Sequence, residues 1–255
     1  MMQNFYMQTK KYYAAWLDIP VERFENKGIS LIETPKRKIC PKGYPKNLEM
    51  YCVAFNDSIF ISYSPELSKN IEFNDIFNGA VDVSTSIIKM EKIFTDKLRH
   101  RRAHYFTKLP KNIDTSKVVL LKNDNYNDYL QFFISQNPNA SPDGWLYDYF
   151  VCLVKNNRCF GVYDNNILVC AIGAPDIPFM DDLITEPGID TLIDYRRRGY
   201  AKAACAKYLE FALKQNKVPI WTCGHNNTAS YKLAESLGYK WFCDLYTIEG
   251  NISYK

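Results

Sequence analysis

The chain has 255 residues, 47% of them hydrophobic, 15% aromatic and 24% charged; this is apolar enough to bury a core in one large or two modest domains, and too aromatic for a disordered chain. Thirty-two basic residues against 28 acidic ones leave a formal net charge of +4, an excess too small to call for a nucleic-acid or membrane-surface partner. No stretch approaches the ~18 apolar residues of a membrane span, and the best run, Ile167 to Pro175, is broken by Gly173.

At the N-terminus, Lys10 and Lys11 stand where a signal peptide needs its apolar region, so secretion is not expected. The eight cysteines form no CxxC pair and sit in apolar segments, which reads as reduced cytosolic thiols. Gln3 to Leu17 has helical character, with aromatics at Phe5, Tyr12, Tyr13 and Trp16. Gly28 to Glu33 and Met50 to Tyr63 read as strands, the latter turning at Asn56-Asp57, and Pro65 suits the first position of a helix. Ser84 to Phe106 reads as a helix whose Arg99-His-Arg-Arg cluster is a solvated face. Near Leu109-Pro110, a polar run looks like a connector, which divides the chain into residues 1–114, a smaller α/β accessory region, and residues 115–255.

The second part has clearer periodicity. Val118 to Leu121 is a short apolar strand, and Asn123 to Gln136 carries Tyr126, Tyr129, Leu130 and Phe133 at helical spacing. Trp145 to Val154 suits a helix. Cys159 to Tyr163 and Ile167 to Ile172 read as strands joined by a polar turn. Ile184 to Asp194 reads as a further strand, Gly199 to Gln215 as a helix, Val218 to Cys223 as a strand, Asn227 to Leu237 as a helix and Tyr239 to Ile248 as a last strand. This alternation points to a mixed α/β layer architecture. Trp221, Trp241 and Phe242 read as core or as the wall of an acceptor pocket. Cys223, His225 and Cys243 do not supply a four-ligand zinc spacing, so no metal site is assigned.

The chemistry concentrates at the turn running from Asp194 through Arg196, Arg197, Arg198 and Gly199. A strand ends there and a helix begins, with small and apolar residues (Ala201, Ala204, Cys205, Tyr208, Leu209, Ala212) on one face. The first N–H groups of a helix lack intrahelical partners and, with the helix dipole, favour phosphate oxygens. Gly199 permits positive φ and close approach of a ligand, and the arginines can add charge-assisted bonds.

Arg196-x-x-Gly199-x-Ala201 resembles the pyrophosphate loop of the GNAT superfamily of acyl-CoA-dependent N-acyltransferases. At the expected distance downstream, Asn227-Thr-Ala-Ser230, continuing to Leu237-Gly238-Tyr239, is similar to the superfamily's Asn-x-x-Ser helix and its Leu-Gly-aromatic ending. The resemblance covers roughly Ser116 to Lys255 and nothing in the first hundred residues. It implies a mixed, partly splayed sheet flanked by helices, with acetyl-CoA as co-substrate in the cleft between Ile184–Asp194 and Val218–Cys223.

By the same resemblance, Arg196, Arg197, Arg198, Gly199, Tyr200 and Ala201 would hold the diphosphate, Ile189, Asp190 and Thr191 the pantetheine arm, and Asn227 would help hold it. Direct attack by a neutral amine needs a base. Glu186 matches the region of a strand glutamate in several members, and strand alternation puts Asp190 on the same face, so that either could accept the proton, directly or through water. Ala234 stands where many members carry the tyrosine that protonates the leaving thiolate, which leaves Tyr231, one turn earlier, as the candidate acid. The reading is an N-acetyltransferase acting in a ternary complex on a small-molecule or peptide amine in the cytoplasm, without nucleic acid or membrane; a homodimer stays open. The alternative is a non-catalytic CoA-binding module on the same fold.

Overall fold

The computed structural model describes residues 4–69, 73 and 82–253. Helix α1 (Phe5–Leu17) starts at Asn4, whose side chain accepts from the Met7 N–H at 3.0 Å, and ends at Asp18 in the left-handed region. Gln3, the expected start, lies outside the described residues. Strands β1 (Gly28–Glu33), β2 (Lys46–Phe55) and β3 (Ser58–Tyr63) come next; β2 and β3 turn at Asn56-Asp57 as expected, and β1 runs parallel to β3. Pro65 leads into a short 3₁₀ turn, Leu67–Lys69, and residues 70–72 and 74–81 lie outside the described ones.

Helix α2 (Val83–Ile93) is capped by Asp82, which accepts from the Thr85 N–H at 2.7 Å. It stops well short of Phe106, and the remainder of the segment read as one helix is strand β4 (Leu98–Phe106). Arg99-His-Arg-Arg therefore lies on a central strand, not on a solvated helix face. Hydrogen bonding to the strand Val218–Gly224 on one side and the strand Tyr239–Ser253 on the other decides this, since tertiary pairing overrides a weak local preference.

The chain continues through β5 (Val118–Leu120), α3 (Tyr126–Gln136), α4 (Leu146–Lys155), β6 (Cys159–Asp164), β7 (Ile167–Gly173), β8 (Ile184–Thr185) and β9 (Gly188–Thr191). Helix α5 (Tyr200–Lys214), β10 (Val218–Gly224), α6 (Thr228–Ser236) and β11 (Tyr239–Ser253) complete the described chain. One sheet has the order β1-β3-β2-β11-β4-β10-β8 and the other β5-β6-β7-β9, so the architecture is mixed α/β. The boundary expected at 114/115 does not separate two sheets, because β11 runs antiparallel to both β2 and β4.

Helix α1 covers one face of the larger sheet, where Tyr12, Tyr13, Trp16 and Leu17 are buried with Val53, Ala103, Ile220, Phe242 and Leu245. A second core joins α5, through Ala204, Cys205, Tyr208, Leu209 and Ala212, to β6, β7 and β10. Trp221 and Phe242 are core residues, whereas Trp241 is 44% exposed. A bulge in β11 between Trp241 and Cys243 changes the alternation there. No described helix is long and apolar enough to cross a membrane.

Candidate functional site

Ile184–Asp194 is not one strand. β8 runs parallel to β10 through Ile184↔Val218 and Thr185↔Pro219, then the chain crosses Glu186-Pro187 and β9 pairs with β7 instead. Pro187 has no N–H to donate to a ladder, which suits a break. Beyond this point β9 keeps one open edge, and β10 is paired only with β4. The break also separates Glu186 from Asp190, because alternation does not carry across it. The two carboxylates line different cavities.

After β9, a 3₁₀ turn (Ile193–Tyr195) leads into the arginines. Arg197 has φ 65° and Gly199 φ 84°, so both are in the left-handed region. No side chain caps α5, and the Ala203 N–H reaches the Gly199 carbonyl at 3.0 Å. Among the described residues, no protein acceptor meets the backbone N–H groups from Arg197 to Ala201. This row of free donors at a helix N-terminus is an anion receptor. A Cβ on Gly199 would have nothing within 4 Å, so space remains above the loop.

These groups border a cavity of about 390 Å³, lined by Ile189, Asp190 and Thr191 on one side and by Asn227 and Ser230 of the α6 turn on the other. Arg196, Arg197, Gly199, Tyr200 and Ala201 also line it. Arg198 does not: its guanidinium donates to the Asp194 carbonyl at 3.0 Å and lies 3.6 Å from Asp164. Its backbone N–H has no protein acceptor. Arg196 donates from Nε to the Thr191 carbonyl at 3.1 Å, which ties the loop to β9. Asn227 caps α6 by accepting from the Ser230 N–H at 3.1 Å. Lys202 and Ala229 line the same cavity without having been picked out from the sequence; their place in the first turns of α5 and α6 was the available signal. Asp190 is exposed; the protein packed around its carboxyl raises its pKa, and Arg196 partly offsets this.

A second cavity, about 670 Å³, shares Asn227 with the first. Its cover is Tyr12, Tyr13 and Trp16 of α1, and its floor comprises residues of β4, β10 and β11. Trp16 stacks on Tyr51 at 4.5 Å, and the Arg37 guanidinium lies 5.7 Å from the Tyr51 ring centre. The Tyr13 hydroxyl is 3.4 Å from that of Thr222. Glu186, half-buried, lines this cavity with Tyr44 and Arg101. Burial and the Glu186 carboxylate push the Tyr44 hydroxyl up to about 12. Burial works against the charge of Arg101, but Glu186 leads the groups that outweigh it and hold its pKa above the ordinary value. The sequence contained no sign that α1 and β2 build this wall.

Tyr231 lines neither cavity; its ring lies 5.1 Å under the Arg102 guanidinium. Ala234 is fully buried. His225 stacks on His100 at 3.8 Å, and its Nδ1 accepts from Arg102 Nε at 3.3 Å. Burial, with His100 and Arg102 nearby, lowers the His225 pKa. His100, His225 and Asp244 gather their ligand atoms within 4.8 Å, but Arg102 lies 4.0 Å from Asp244 and brings a cation into the group. Cys223 and Cys243 are buried apart from this cluster.

The model of the family described as GNAT acetyltransferase matches residues 46–247, so the likeness begins at β2, well before Ser116. A solved acetyltransferase of the GNAT family from Colwellia psychrerythraea is 16% identical, with 82% of this chain and 84% of that one covered and a TM-score of 0.52. A GCN5-related N-acetyltransferase-like protein from Streptococcus suis is 18% identical over 79% of this chain and 84% of its own, with a TM-score of 0.43. At such identity the Colwellia structure bears on the fold alone. No curated protein matches the chain.

Proposed function

The chain belongs to the GNAT acetyltransferase family, and from that premise we propose that it transfers acetyl from acetyl-CoA to a primary amine of a small molecule or peptide, in a ternary complex. The carrying observation is the row of N–H groups from Arg197 to Ala201 without protein acceptors, bordering the 390 Å³ cavity beside the open edge of β9. These residues fit the co-substrate: free amides and a helix N-terminus suit a diphosphate, and the open backbone of Ile189 to Thr191 suits an amide-bearing arm. Asn227 spends its carbonyl oxygen on Ser230 and keeps its amide nitrogen for a ligand.

Bound acetyl-CoA supplies an activated thioester, whose C–S bond breaks as the amide C–N bond forms. An N–H on the open edge of β9 stabilises the negative charge that develops on the carbonyl oxygen. Alkylamines are protonated at pH 7, so a base is required. Glu186 takes this role from the aromatic cavity, accepting the amine proton directly or through one water. Asp190, in the other cavity beside Arg196, does not share it. Solvent returns a proton to the thiolate, since Ala234 is buried and Tyr231 lines neither cavity. The eight free cysteines favour a reducing cytoplasmic setting for this chemistry.

The absence of a tyrosine at position 234 favours one other reading, a CoA-binding module without turnover. Release of CoA thiol with a panel of primary amines separates the two. Glu186→Gln should lower kcat by about 10²-fold or more while CoA affinity stays within twofold of wild type. CoA binding with no turnover on any amine would leave only the binding module.

A further inference from the structure

The arginine cluster on β4 has no part in the mechanism above, and its two faces differ. Arg102 points to the side of Asp244, His225 and Tyr231, where each of these groups engages it. Arg99 and Arg101 fall on the opposite face, that of the core residue Ala103 under α1, and both line the 670 Å³ cavity. Among the described residues neither has a carboxylate within 4.0 Å. The other acid of the floor, Glu249, is 3.8 Å from Lys46.

Resting on the transferase reading, we infer that the acceptor is an amino acid with a ring-bearing side chain, and that Arg101 receives its carboxylate while Glu186 faces its amine. The Arg101 guanidinium is half-buried with no carboxylate in ion-pair contact, Glu186 acting on it only from a longer range, and its planar fork matches a carboxylate. Glu186 stands in the same cavity without being within ion-pair distance of Arg101. The cavity thus presents separated opposite charges, as an amino acid does. Tyr44, half-buried, offers a ring to an apolar body, and Tyr12 and Trp16, packed into the core behind it, close that side of the cavity. The diphosphate of CoA does not compete for Arg101, because its loop borders the other cavity.

The test is equilibrium binding by calorimetry to the full chain saturated with CoA. L-phenylalanine, L-tyrosine and L-tryptophan are each compared with the matching decarboxylated amine and with the amino-acid amide, which is neutral at the carboxyl end. At least one acid should bind tenfold or more tightly than both of its counterparts, and Arg101→Gln should erase the difference. Equal binding of the three forms overturns the inference, as does binding of none, or an Arg101→Gln variant that weakens all forms alike and so marks Arg101 as a mere counter-ion of Glu186. If Arg101→Gln does not fold, the three ligand forms on wild-type protein still decide. Thiol release is measured in parallel. Carboxylate-dependent binding without acetyl transfer sinks the transferase reading and leaves this site standing; acetylation of acid and decarboxylated amine with equal kcat/KM does the reverse.

Discussion

Gly199→Glu tests the loop most directly, because its effects on folding and on ligand separate cleanly. Gly199 has φ 84° and nothing within 4 Å of an added Cβ, so a side chain meets conformational cost but no clash. Holding an L-residue in the left-handed region costs about 1–2 kcal/mol, or about 2–8 °C in Tm for a chain of this size. The ligand effect is larger. A carboxylate about 4 Å from a phosphate oxygen is repelled by ~4 kcal/mol at an effective dielectric of 20, and each 1.4 kcal/mol is tenfold in affinity. CoA binding by calorimetry should therefore weaken about 10³-fold at low salt, and the gap should narrow as salt screens it. Gly199→Ala carries the same folding cost without the charge, so it should lose roughly the same Tm and, with no like charge to repel the ligand, keep CoA affinity within about tenfold. If Gly199→Glu, folded, binds CoA within tenfold of wild type, the diphosphate does not sit on this loop.

Two further outcomes concern positions away from the two cavities. Gly238 has nearly the same φ as Gly199, 88°, but a Cβ there would stand 1.8 Å from the Lys108 carbonyl oxygen. Gly238→Ala should cost at least about twice the Tm loss of Gly199→Ala, since a backbone clash joins the cost of the left-handed conformation; equal losses in the two melts would contradict this. His104 is 2% exposed, and burial lowers its pKa. As pH falls below about 6.5, the unfolded chain takes up this proton while the folded protein resists it. Stability is then lost on acidification. Urea midpoints at pH 7.5 and 5.5 should differ less for His104→Gln than for wild type, and an unchanged difference would refute the assignment.

Where a feature depends on neighbours in the chain, the residues alone were informative. The left-handed turn at Gly199, the small-residue stripe of α5 and the helix expected from Asn227 to Leu237 appear in the structure at or within a residue of the expected positions. Each is set by backbone sterics or helical period within a few residues. Glu186 lines the cavity under α1, but the expected grouping with Asp190 fails at Pro187, where the chain changes sheets.

Long-range pairing decided the rest. Nothing near Tyr246 in sequence shows that it pairs with Cys52 on one side and His100 on the other, yet this pairing makes β4 a strand and joins the two halves of the chain into one sheet. The same pairing turns Arg101 toward α1 and encloses it with Tyr12, Trp16 and Glu186 in one cavity. Strand partners and facing side chains are selected by burial over the whole molecule, so a reading built on local period finds the turn at Gly199 and cannot find the cavity under α1.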